Sequence, residues 1–87
     1  MHYVYILRCA DNSLYIGETA DLEFRLLKHN DGSACKFTAR RRPVTLMPSE
    51  AHATQASALK RERQLKGWTR AKKEALIAGD LALLKRL

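Results

Sequence analysis

The chain opens with an unbroken apolar run rich in β-branched and aromatic residues, Tyr3-Val4-Tyr5-Ile6-Leu7, which predicts a strand over His2–Cys9. Ala10-Asp11-Asn12-Ser13 is a turn cluster, and Leu14–Glu18 reads as a second strand, so the two form an antiparallel hairpin. Loop length decides which way the tyrosines point. A two-residue loop would put Tyr5 and Tyr15 on opposite faces. A three-residue loop of Asp11-Asn12-Ser13, pairing Ala10 with Leu14, or a bulge, puts them on one face. A site that shares both phenols requires the odd-length loop or the bulge. Thr19 or Asp21 can cap a helix running to about Asn30, with Gly32 suited to its end. At about 100° per residue, Leu22, Leu26 and His29 fall on one stripe with Arg25 at its border, and Arg25 and His29 are i,i+4 neighbours.

The second half of the chain is more helical. Gly32–Arg42 reads as a basic loop, and Pro43 leads into a third strand, Val44–Met47, with Pro48 signalling an edge or a bulge. A helix follows over Thr54–Lys66 and ends at Gly67. Another is capped by Thr69 and runs to about Ala78, ahead of Gly79-Asp80. Leu81–Leu87 is a short amphipathic tail expected to pack Leu81, Leu84 and Leu87. The predicted fold class is α+β: one domain over residues 1–87, a small three-stranded, mostly antiparallel sheet flanked by helices.

Composition changes this picture only through charge. Hydrophobic residues make up 46% and charged residues 29% of the 87, the balance of an ordinary folded domain. No apolar run reaches the roughly eighteen residues of a membrane span and no signal-peptide pattern opens the chain, so a cytoplasmic protein that avoids membranes is expected. Cys9 and Cys35 form no CxxC pair, and neither they nor the three histidines have zinc-site spacing; two reduced thiols are expected. The formal charge of +7, however, is clustered: Arg40-Arg41-Arg42, then Lys60-Arg61 with Arg63 and Lys66, then Arg70 with Lys72-Lys73. Such a surface attracts phosphate polyanions. Aromatics are sparse away from the amino end, which argues against a single-strand stacking platform.

One carboxylate sits where a carboxylate is costly. On the helix over Thr54–Lys66, Ala58, Leu59 and Leu65 define the apolar arc, and Glu62 falls near its middle. It needs a partner there: an ion pair with Arg25 or a nearby lysine, a wet sheet edge, or a metal ion.

Tyr5, Tyr15, Gly17, Arg25, His29 and Glu62, in this order and with this secondary structure between them, resemble the GIY-YIG nuclease family in its small stand-alone form. The similarity runs from about Tyr3 to Ile77. It takes in Thr19, His29-Asn30, Lys36-Phe37-Thr38 leading to Arg41-Arg42-Pro43, and Lys60-Arg61-Glu62 leading to Lys66-Gly67-Trp68. The resemblance implies a metal-dependent endonuclease that uses Mg²⁺ or Mn²⁺ on nucleic acid, DNA before RNA, including the structured or damaged DNA met in repair. It implies that Tyr5 takes the proton of the attacking water, directly or through a relay. By the same analogy Tyr15 binds the water or phosphate, Arg25 neutralises the phosphoryl oxygens, Glu62 holds the metal, and His29 orients Tyr5 or accepts a proton. Gly17 is expected to be structural, letting the strand end bend beside the phosphate. Lys36, Arg40, Arg41, Arg42, Lys60, Arg63 and Lys66 are the expected nucleic-acid contacts. A phenol of ordinary pKa near 10 is a poor base, so Tyr5 needs a cation or relay, with Lys36 or Arg25 the candidates. Three departures stand out: the first triplet reads Tyr-Val-Tyr, Glu18 places an acid near the phosphate path, and Thr38 stands where some relatives have a histidine. The alternatives are a basic nucleic-acid-binding module without catalysis, and a subunit that takes its target specificity from a protein partner.

Overall fold

The computed structural model describes residues 1–87. Its elements are β1 (His2–Arg8), β2 (Leu14–Thr19), α1 (Leu22–Asp31), α2 (Lys36–Ala39), β3 (Thr45–His52), α3 (Gln55–Lys66), α4 (Arg70–Ala78) and α5 (Leu81–Arg86). The α+β class holds. The sheet is wholly antiparallel, in the order β2-β1-β3. β1 is therefore central, and both its faces are covered. Val4 and Ile6 join Ile16, Ala58 and Leu65 on the side of α3, while Tyr5 and Leu7 join Cys9 and Val44 on the side of α1. This two-sided burial explains why β1 is apolar throughout and does not alternate. Each fully buried Leu or Val contributes roughly 1.5–3 kcal/mol.

The hairpin keeps the expected parity at a different register. Tyr5 pairs with Gly17 and Leu7 with Tyr15, and the ladder closes at Cys9, whose N–H donates to the Ser13 carbonyl. The loop is thus Ala10-Asp11-Asn12. Asn12 takes a left-handed φ of 71° and donates its N–H to the Cys9 carbonyl, the αL position of a three-residue hairpin. Asp11 accepts from both the backbone N–H and the hydroxyl of Ser13, which rigidifies the turn.

Helix boundaries follow their caps. Asp21, Thr54 and Thr69 each accept a backbone N–H of the first turn, and Gly32 and Gly79 close α1 and α4 at positive φ. Three expectations need correction. The basic segment contains the short helix α2, which folds Thr38 into the interior. β3 runs on past Met47 to His52. Pro48 does not end it because β3 is an edge strand, and Met47 and Pro48 stand together opposite Ile6 in a bulge. In the tail, only Leu84 is half-buried. Leu81 remains 63% and Leu87 45% exposed, since α5 meets little besides α4.

Candidate active site

The register of β1 and β2 sets Tyr5 and Tyr15 side by side on the α1 face, ring centroids 6.4 Å apart. Gly17 lies directly across from Tyr5, and the Tyr5 ring leans over it. A Cβ on Gly17 would fall 2.5 Å from Tyr5 Cζ. Gly17 has no positive φ, so no left-handed backbone requires glycine here. It clears space for the phenol.

His29, in the last turn of α1, reaches down into this pair and is 1% exposed. Its Nε2 is 2.9 Å from the Tyr5 hydroxyl, and its Nδ1 is 2.8 Å from Thr38 Oγ1. Its ring meets Tyr15 edge-on at 5.0 Å. Burial, and then the charge of Arg25, push the His29 pKa below its ordinary value, so the imidazole is neutral at pH 7. Burial first, and then Tyr15, push Tyr5 well above the usual phenol range, with Arg25 opposing. Tyr5 therefore keeps its proton, and the hydroxyl of so buried a residue needs an acceptor. That acceptor is His29 Nε2, because in the reverse orientation the Tyr5 proton would point at nothing. His29 Nδ1–H in turn donates to Thr38 Oγ1, and the Thr38 hydroxyl proton is shared between the Cys35 carbonyl at 3.5 Å and Cys35 Sγ at 3.4 Å.

This chain of bonds predicts that the His29 imidazole is the Nδ1–H tautomer, with a titration midpoint below 6.5, measurable by ¹⁵N NMR. The unfolded chain binds that proton more readily. The stabilising contribution of neutral His29 is thus complete above about pH 6.5 and is lost as the pH falls toward the folded-state value. Thr38→Val should lose about 1–3 kcal/mol by stranding the Nδ1–H, and Thr38→Ser should recover most of it. A midpoint at or above 6.5, or a Val variant as stable as the Ser variant, contradicts the assignment.

Arg25, half-buried on α1, has no hydrogen-bond or ion-pair partner for its guanidinium, yet its charge acts on Tyr5, Tyr15 and His29 alike. Glu62 extends from α3 with a side chain 17% exposed; Lys66 is its ion-pair partner at 3.7 Å, so neither Arg25 nor a metal is needed to account for its charge. Its charge still reaches both phenols. Glu18 is on the other face of β2, bonded to His2 Nδ1 at 3.2 Å, and so lies away from the phenols. The strand's alternation sets this acid on the face opposite the phenols. Lys36 is exposed at the start of α2, and it is His29, not Lys36, that the Tyr5 hydroxyl meets.

Sequence reasoning passed over two members of the cluster. Thr38 was visible only as a departure from a histidine, and Cys35 only as one of two free thiols, which both cysteines are. Burial alone would raise the Cys35 pKa. Hydrogen bonds from the Thr38 hydroxyl and backbone, from Tyr15 and from the Phe37 backbone outweigh it and hold the thiol below its ordinary value. Of the basic residues expected to meet nucleic acid, Arg40, Lys60 and Arg63 are exposed without ion pairs, as is Lys36. Arg41 is tied to Asp11 and the Phe37 carbonyl, and Arg42 to the carbonyls of Ala39 and Asn30, so those two also brace their own segment.

A phenol pair on adjacent antiparallel strands, an unpartnered arginine and a histidine from the next helix, and a glutamate on a later one define a class. The GIY-YIG catalytic domain matches residues 1–75. The chain belongs to the GIY-YIG nuclease family. Among its relatives, the UPF0213 protein of Bacillus pumilus is 50% identical over 76 residues, covering 87% of this chain and 78% of the relative. That of Staphylococcus saprophyticus is 48% identical over 77 residues, covering 88% and 94%. The solution NMR structure of a UPF0213 protein from Bacillus halodurans matches with a TM-score of 0.59 at 40% identity, over 88% of this chain and 82% of that one.

Proposed function

We propose that this chain is a divalent-metal-dependent endonuclease that hydrolyses phosphodiester bonds in DNA, including structured or damaged DNA. The observation that carries the reading is the juxtaposition of Arg25, a half-buried cation with no protein partner, and a neutral Tyr5–His29 pair whose only open direction for proton transfer is from phenol to imidazole. A bare arginine beside hydroxyls suits a phosphate, whose equatorial oxygens gain charge as the bond to the leaving oxygen breaks.

Tyr5 accepts the proton of the attacking water as its own proton passes to His29 Nε2. No free tyrosinate is then required, which the raised pKa of Tyr5 would make scarce. Thr38 holds the imidazolium through Nδ1–H. Tyr15 hydrogen-bonds the water or a phosphate oxygen, and Arg25 balances the charge on the phosphoryl group. The donor set fits a loosely held Mg²⁺ or Mn²⁺. No three His, Cys, Asp or Glu side chains are grouped as a metal cage, and the one carboxylate at hand, Glu62, is a hard oxygen ligand that leaves most positions to water and substrate phosphate. When bound, the ion supplies Lewis-acid stabilisation of the leaving oxygen. Lys66 competes for the same carboxylate, so the free protein should bind the ion weakly and the nucleic-acid complex more tightly.

The test is cleavage of a labelled panel of duplex, single-stranded, flap and four-way-junction DNA, with matching RNA, in Mg²⁺, Mn²⁺ or EDTA. Wild type should cut at least one DNA in a metal-dependent way, and Glu62→Ala should lose that activity while still binding DNA. Salt-sensitive binding with no cutting of any substrate would instead favour a non-catalytic binding module or a subunit that needs a protein partner.

A further inference from the structure

A groove of about 240 Å³ runs along the free edge of β2, and none of the chemistry above uses its far end. It is lined by Leu14, Tyr15 and Ile16 of β2, Phe37 of α2, Lys66 of α3 and Lys73 of α4. Tyr15 belongs both to this groove and to the phenol cluster, so the groove adjoins the proposed site. Its lining is apolar except for two ammonium groups, and Lys73 has no carboxylate partner, while Lys66 shares Glu62. Phe37 is 39% exposed, its ring 6.0 Å from Tyr15 and carrying the Arg41 guanidinium at 4.0 Å. As an edge strand, β2 also offers the groove backbone groups that pair with nothing in the sheet.

These features fit an occupant that is flat and apolar in one part and anionic in another. The volume lies below the roughly 300–1,000 Å³ of pockets for drug-sized ligands, the scale of a single base and its sugar. We propose that the groove binds one nucleotide with an unpaired base next to the scissile phosphate, the base against Phe37 and β2 and its phosphate between Lys66 and Lys73. The proposal rests on the endonuclease reading for the position of the scissile phosphate, and it narrows the substrate to nucleic acid with a single-stranded stretch at the cut. Aromatics are sparse on this chain, but one exposed ring, placed beside Tyr15 by α2, suffices for one base.

The experiment is a titration of 2-aminopurine-labelled single-stranded and blunt duplex DNA in EDTA, where no cleavage occurs, with wild type, Phe37→Ala, Phe37→Tyr and Lys73→Gln. Wild type should quench the single-strand fluorescence. Phe37→Ala should abolish the quench and weaken single-strand binding about 5–100-fold, leave duplex binding within about two-fold, and be rescued by Phe37→Tyr. Lys73→Gln should reduce the salt slope for the single strand by about 0.7. Single-strand binding by Phe37→Ala equal to that of wild type, an equal loss on duplex, or no nucleic-acid binding at all overturns the proposal. Metal-dependent cleavage without a Phe37-dependent quench would overturn the groove and leave the endonuclease reading standing. A Phe37-dependent quench without cleavage on the panel above would do the reverse.

Discussion

Tyr5→Phe is expected to lower the rate of metal-dependent cleavage about 10²–10⁴-fold, the usual worth of a positioned proton-transfer group, with DNA binding changed less than about two-fold. The substitution keeps the ring that lies over Gly17 and against Tyr15, so the packing of the α1 face survives. What it removes is the hydroxyl that meets His29 Nε2. The stranded Nε2 costs about 1–3 kcal/mol of stability, a loss a thermal melt separates from the loss in rate. If phenol and imidazole act as one unit, the double variant Tyr5→Phe with His29→Gln should be little slower than the slower single variant. A Tyr5→Phe protein that keeps more than about a tenth of wild-type activity would sink the relay. Multiplying losses in the double variant would show two independent roles.

The second large effect is expected at Gly17. An added methyl would fall 2.5 Å from Tyr5 Cζ, and neither partner can yield easily: Gly17 is held in the β1–β2 ladder and Tyr5 is buried between α1 and the sheet. Gly17→Ala should cost about 1–3 kcal/mol by overpacking, and each kcal/mol lowers the melting temperature by roughly 4–8 °C in a chain of this size. Tyr5 must swing off His29, so activity should fall at least as far as in Tyr5→Phe. The clash is with one ring, which gives a specific check. In a Tyr5→Leu background, where the outer ring atoms are gone, the same Gly17→Ala change should cost under about 0.5 kcal/mol. An equal cost in both backgrounds would mean that the backbone, and not the phenol, requires glycine there.

Glu18 and Thr38 show how differently two residues flagged in the same sequence can fare. Both looked like departures that weaken the site. Glu18 adjoins Gly17 in sequence, but one step along a strand is a change of face, and it pairs with His2 on the far side. Thr38 is nine residues from His29, and only the turn of α2 makes it the acceptor for Nδ1–H. A four-residue helix has almost no signal of its own in sequence, because so short a segment is unstable without the contacts that bury Thr38.

The sequence by itself determined whatever depends on neighbours along the chain. Apolar runs set the strands, and Asp21, Thr54 and Thr69 with Gly32 and Gly79 set the helix ends through hydrogen bonds a few residues long. The order of Tyr5, Tyr15, Gly17, Arg25, His29 and Glu62 carried the family, while the loop residues left the parity that puts both phenols on one face open. Only the tertiary structure decided that β1 is central, that Lys36 does not reach the Tyr5 hydroxyl, that Gly17 makes room for a ring, and that Phe37 lines a groove beside Tyr15. Each of these is a contact between segments distant in sequence. Such contacts form only when burial of both faces of the sheet selects one packing of the helices, and no local propensity encodes that choice.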